Sequence, residues 1–204
     1  MTEILLHTDF HEPNLPPGLE WFNPPTVWHT GNGGLSVQTD APTDFWQRTH
    51  YGFQHDSGHA LMTPISGDFV MSTRLVFFPA HQYDQAGLML RFSADCWIKT
   101  SIEFEAQGPA RLGAVVTNLG YSDWSTQDVP NTIGQVALRI LRTGSDCAVY
   151  ASLDGEATWS QLRIAHLHEG DETGPILCGL YACSPIASGY RVVFRYLHIQ
   201  RPVL

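Results

Sequence analysis

From residue 34 to the end of the chain, apolar and polar residues alternate with a period of two, and no window of eleven or more residues carries a capped stripe of 3.6-residue period. The pattern predicts an all-β protein. Strands are expected over Leu35 to Thr39, Ala60 to Thr63, Asp68 to Phe78, Gln85 to Phe92, Cys96 to Glu105, Arg111 to Thr117, Gln135 to Leu141, Cys147 to Leu153, Gln161 to Ala165, Ile176 to Cys183 and Tyr190 to Ile199. Turn residues separate them, as at Gly31-Asn32-Gly33-Gly34, Ser66-Gly67-Asp68 and Asp154-Gly155. Strands this numerous without crossover helices must stack as two antiparallel sheets or close into a barrel, and a jelly-roll β-sandwich of one domain over residues 1–204 fits best. The Pro-rich start is irregular, but Trp21, Phe22, Val27 and Trp28 should dock it on the body.

Composition narrows the partners. The net charge of -9 repels a phosphate backbone or an anionic membrane surface, so nucleic acid and membrane are not expected partners. Met1 to His7 is acidic and short of a secretory signal, and no apolar run reaches membrane-span length, which makes cytoplasmic the expected location. Cys96, Cys147, Cys178 and Cys183 include no CxxC pair and read as buried reduced thiols. The three histidines of His50 to His59 lack a recognised ligand spacing, and Gly31 to Gly34 matches no nucleotide-binding loop. Neither metal nor cofactor is expected.

The strand from Cys96 to Glu105 carries the most chemistry. Its odd positions place Trp97, Lys99, Ser101, Glu103 and Glu105 on one face, while the even ones face the core. An indole that stacks on a sugar ring, beside charged groups that bond its hydroxyls, is the furniture of a carbohydrate groove. Trp97 is read as the stacking platform, so Trp97→Ala should abolish binding and leave the fold intact. Asp84 and Gln85 open the preceding strand. Asn118, Asp123 and Trp124 lie in a polar loop, and Trp46 and His59 flank the histidine-rich stretch.

Three functions stay open on these residues. The first is a module binding a carbohydrate or sugar-derived small molecule through Trp46, His59, Asp84, Gln85, Trp97, Lys99, Glu103, Asn118, Asp123 and Trp124. The second is a carbohydrate-active enzyme with Glu103 as acid or base, Glu105 or Asp123 as its partner, and Lys99 tuning them. The Glu-x-Asp-x-Glu pattern usual for retaining glucanases on jelly rolls is missing. The third is an interaction module for another protein, such as a metabolic enzyme.

The series Asp44-Phe45-Trp46, Asp56 to His59, Asp84 to Leu88, Trp97-Ile98-Lys99, Val115 to Asn118, Ser122 to Ser125, Ser152 to Gly155 with Trp159, and Ala182 to Pro185 resembles the regulation-of-enolase protein family. The resemblance runs from about residue 21 to 199. It implies a concanavalin A-like lectin/glucanase sandwich with a concave face, and it marks Asp84, Gln85, Trp97, Lys99, Glu103, Asp123 and Trp124 as matching the family pattern. The family, long catalogued as a domain of unknown function, takes its name from a regulatory phenotype in sugar metabolism, and the resemblance implies no established reaction.

Overall fold

The computed structural model describes residues 2–170 and 174–203. Among these residues all regular structure is β, and no helix is long and apolar enough to cross a membrane. The strands are β1 (Ile4–Thr8), β2 (Glu20–Phe22), β3 (Val27–His29), β4 (Leu35–Gln38), β5 (Phe45–Gln47), β6 (Gln54–Asp56), β7 (His59–Ser66), β8 (Phe69–Phe78) and β9 (Gln85–Ser93). They continue as β10 (Cys96–Glu103), β11 (Ala110–Asn118), β12 (Tyr121–Val129), β13 (Gln135–Thr143), β14 (Asp146–Ser152), β15 (Ser160–His166), β16 (Pro175–Cys183), β17 (Arg191–Phe194) and β18 (Leu197–Gln200).

One sheet runs β15-β14-β13-β8-β17-β4-β3, with β18 also on β8 and β1 outside β18. The other, seven-stranded, runs β12-β11-β10-β9-β16-β7-β2. Every pairing in both is antiparallel. The main core lies between them, and alternation decides its members: Phe69, Met71, Leu75 and Phe77 of β8 point in, as do Ile98 and Ile102 of β10. The four cysteines are buried free thiols, as the sequence predicts.

Several boundaries differ from expectation, each for a local reason. Of the polar loop expected over Thr117 to Ser125, the part from Tyr121 belongs to the edge strand β12, whose mostly exposed residues need no apolar alternation. The strand expected over Tyr190 to Ile199 divides in two: the Arg195 amide still bonds the Arg74 carbonyl of β8, but the register against β8 then shifts by one residue before His198 pairs with Ser72. β10 stops at Glu103, so Glu105 lies beyond its end. The Pro-rich start contributes β1, β2 and β3 and is docked by Trp21 and Trp28, whose rings lie 5.6 Å apart against the core.

A small hairpin, β5–β6, stands apart from both sheets. It lies across the outer face of the seven-stranded sheet, where Phe45 and Trp46 join Met62, Met89, Trp97, Val115 and Tyr181 in a second apolar cluster.

Candidate functional site

The odd-numbered face of β10 supplies the floor of a cavity of about 410 Å³, and the β5–β6 hairpin supplies one wall. Lys99 is its electrostatic centre. Only 2% exposed, its ammonium donates to Gln85 Oε1 at 2.9 Å and to Asp44 Oδ1 at 3.3 Å, and it lies over the Trp97 and Tyr181 rings at 5.8 and 5.5 Å. Gln85 relays this order onward. Its Oε1 also accepts from the Tyr181 hydroxyl at 3.1 Å, and its Nε2 donates to Glu103 Oε2 at 2.8 Å. Burial pushes the Glu103 carboxyl up to about 8; nearby Lys99 works against that rise, while Asp44 and Glu105 add to it. Glu103 therefore holds its proton at neutral pH.

Aromatic rings form the walls. Tyr51, Phe53, Tyr83 and Trp124 line the cavity with Trp46 and His55. Tyr51 stacks on Phe53 at 5.3 Å and 8°, Phe53 meets His55 at 4.9 Å, and Trp46 backs Tyr51 at 5.4 Å.

The hairpin is held at both ends. At its base Arg91 of β9 makes a bidentate pair with Asp56 at 2.9 and 2.7 Å, and Lys99 holds Asp44 just before β5. At its tip Arg48 Nη1 donates to the Gly120 carbonyl at 2.7 Å, and behind the tip Gln47 N–H donates to Ser122 Oγ at 2.9 Å. Gly58 lets the chain leave the hairpin, because a Cβ there would run into the Phe45 ring.

The structure sorts the sequence candidates. Gln85, Lys99, Glu103, Trp46 and Trp124 line the cavity. Trp97 cannot serve as a stacking platform: it is 0% exposed, covered by Phe45, and its Nε1 donates to the Ala94 carbonyl at 3.1 Å. Alternation placed it on the correct face but could not say that a hairpin covers that part of the face. Asp84 is buried in a structural role, accepting from the Ala80 and His81 amides at 2.8 and 2.7 Å and from Ser184 Oγ at 2.6 Å. His59 is likewise structural, taking the Asp40 N–H on Nε2 at 3.0 Å and bonding the Asn23 carbonyl through Nδ1 at 2.7 Å.

Asn118 ties two chain segments together through the His166 carbonyl and the His168 amide. Asp123, its side chain 69% exposed, pairs with Arg163 at 2.6 Å outside the cavity. Glu105 also lies outside it, bonded to Gln82 and 3.9 Å from Arg111. Neither acid is placed to act as partner to Glu103, and the second carboxyl in the cavity belongs to Asp44. Asp44, Tyr51, Phe53, His55 and Tyr83 also line the cavity, and the sequence pattern alone does not single them out. The signals were there: a lone lysine on a strand face needs a carboxylate, and aromatic residues crowd the segment between Trp46 and His59.

Two antiparallel sheets around one core, with a polar-floored cup on the outer face of one of them, define a jelly-roll sandwich of the lectin/glucanase type. Residues 21–202 match the family model described as "Protein of unknown function (DUF1349)", and the chain belongs to this family. It is 34% identical over 183 residues to "Regulation of enolase protein 1" of Saccharomyces cerevisiae, covering 90% of this chain and 89% of that one. A crystal structure of a functionally unknown S. cerevisiae protein superposes with a TM-score of 0.84 at 33% identity, covering 92% of this chain and 98% of that one. The structure titled "Bacteroides ovatus Xyloglucan PUL GH43B" matches at TM-score 0.74 and 18% identity over 96% of this chain but 39% of its own, and shares the fold.

Proposed function

We propose that the chain is a binding module for a small carbohydrate-like ligand, held in the cup between β10 and the β5–β6 hairpin. The observation that carries this reading is the meeting of an aromatic wall with the polar trio Asp44, Lys99 and Glu103 in one cavity of about 410 Å³. Its size falls within the roughly 300–1,000 Å³ usual for small-molecule pockets. Sugar rings present apolar C–H faces and polar edges, and they need both kinds of surface. The stacking role assigned to Trp97 passes to Trp124 and Tyr83. The name of the yeast relative refers to regulation of enolase. Carried to this chain, ligand occupancy of the cup would be the event such regulation reads.

The test is a thermal-shift and ligand-observed NMR screen against monosaccharides, oligosaccharides, sugar alcohols and sugar phosphates, repeated on Trp124→Ala. A ligand that binds the native state raises the melting temperature by mass action. The expected result is a hit weakened about fivefold in the variant, in keeping with the ~1 kcal/mol scale of an aromatic contact. A panel without any hit would overturn the reading.

One observation favours a second reading. Glu103, protonated at neutral pH, shares the cup with Asp44, whose charge is paired with Lys99. Two carboxyls in unlike environments suit acid–base chemistry on a bound sugar, with Glu103 as acid. A Glu103→Gln protein that keeps affinity and loses turnover would establish it; equal turnover would remove it.

A further inference from the structure

We propose that the cup selects uncharged polyhydroxylated ligands, neutral sugars and sugar alcohols, over their phosphorylated and carboxylated derivatives; this rests on the reading of the cup as a carbohydrate site. The argument is a count of donors, acceptors and charge. Gln85 is engaged on both sides, with Oε1 taken by Lys99 and Tyr181 and Nε2 given to Glu103 Oε2. Lys99 uses two of its three N–H groups on Asp44 and Gln85. Asp44 Oδ1 accepts from Lys99 and from the Phe45 amide at 2.7 Å.

Among the described residues, three atoms of this network are then left for a ligand: one Lys99 N–H, Asp44 Oδ2 and Glu103 Oε1. They offer a donor, an acceptor and an oxygen that donates while Glu103 holds its proton. A hydroxyl both donates and accepts, so neighbouring hydroxyls can answer a donor and an acceptor side by side. A phosphate dianion or a carboxylate has no proton to give Asp44 Oδ2 at neutral pH and meets a like charge there.

Nor does the cup hold a positive charge free to compensate an anion. Lys99 is its one ammonium and is already paired with Asp44. The other basic group on its lining, His55, is on the outer wall against Phe53. Among the described residues no arginine lines it, although bidentate arginine is the usual clamp for phosphate. The net charge of -9 adds repulsion at longer range. Stripping water from an anion without a compensating cation is costly, whereas a hydroxyl exchanges water for protein partners at little cost.

The experiment titrates the full chain by calorimetry at pH 7 with matched compounds: glucose, glucose 6-phosphate and glucuronate; galactose and galacturonate; xylose and xylitol. The expected result is binding by at least one neutral compound with its charged counterpart tenfold weaker or worse. A charged counterpart that binds as tightly or more tightly overturns the selectivity and leaves the carbohydrate site standing. No binding by any neutral or charged compound overturns both. Asp44→Asn, which frees the Lys99 charge, should narrow the gap at least threefold, and an unchanged gap in the folded variant overturns the role given to Asp44. The wild-type comparison decides the selectivity on its own if that variant does not fold.

Discussion

Replacing Glu103 with glutamine should make the protein more stable, by an amount that grows with pH. The carboxyl ionises near its model value of 4.5 when the chain is unfolded and is pushed up to about 8 in the fold. Between these values the native state binds a proton that the unfolded state has released. The stability this group contributes is therefore complete below about pH 4.5 and is lost as pH rises toward 8. At about 1.4 kcal/mol per pH unit, the loss at pH 7 is on the order of 3 kcal/mol. Glutamine does not titrate, and its carbonyl can still accept from Gln85 Nε2. Since 1 kcal/mol moves the midpoint of a chain this long by about 2–4 °C, Glu103→Gln should melt roughly 6–12 °C above wild type at pH 7 and level with it near pH 4.5. Paired differential scanning calorimetry from pH 4.5 to 8.5 measures the difference, in which groups common to both proteins cancel. Parallel melting curves across that range would refute the reasoning, and so would a variant that loses stability relative to wild type as pH rises.

Other consequences follow from packing and reactivity. Trp97→Ala should cost about 3–5 kcal/mol by opening a cavity under the hairpin, measured by urea unfolding, because the indole belongs to the core. Asp56→Ala leaves Arg91 without its carboxylate and should cost about 2 kcal/mol, with faster hydrogen exchange confined to residues 44–58. Exchange that is unchanged there would mean the ion pair does not hold the hairpin. The four thiols should ignore a disulfide reagent at pH 8 in the native protein and react together on unfolding: burial raises all of them, Cys147 up to about 12.

The sandwich was legible because its central strands are buried on one side or both, so burial writes a repeat of two into β8, β10 and β13. The repeat fades where burial does. β12 is an edge strand with polar residues on both faces, and Tyr121–Val129 carries no pattern to read. β2, β3, β5 and β6 are three residues each, too short to show a period. The site was half legible for a related reason. Alternation identifies the residues that leave the core, so Lys99 and Glu103 could be placed together on one face. It does not identify what folds over that face, and the same rule therefore misread Trp97. The partners Asp44, Tyr51 and Phe53 come from a distant segment joined to β10 only by tertiary contacts, which no local pattern reports. Asp84 and His59 show the opposite error, since polar residues chosen for their chemistry serve the backbone instead.

Lys99 is the only lysine among the 204 residues. Lying 2% exposed and lining the cup, it leaves the folded chain with no side-chain amine on its outer surface. Amine-coupling surfaces and enzymes that tag lysine are too large for the cup, whereas a small acylating reagent must pass through it to reach Lys99. The ε-amine is thus a built-in clock for entry to the cup, each acylated Lys99 recording one visit to its floor. A compound seated on the floor would slow the clock in proportion to its occupancy.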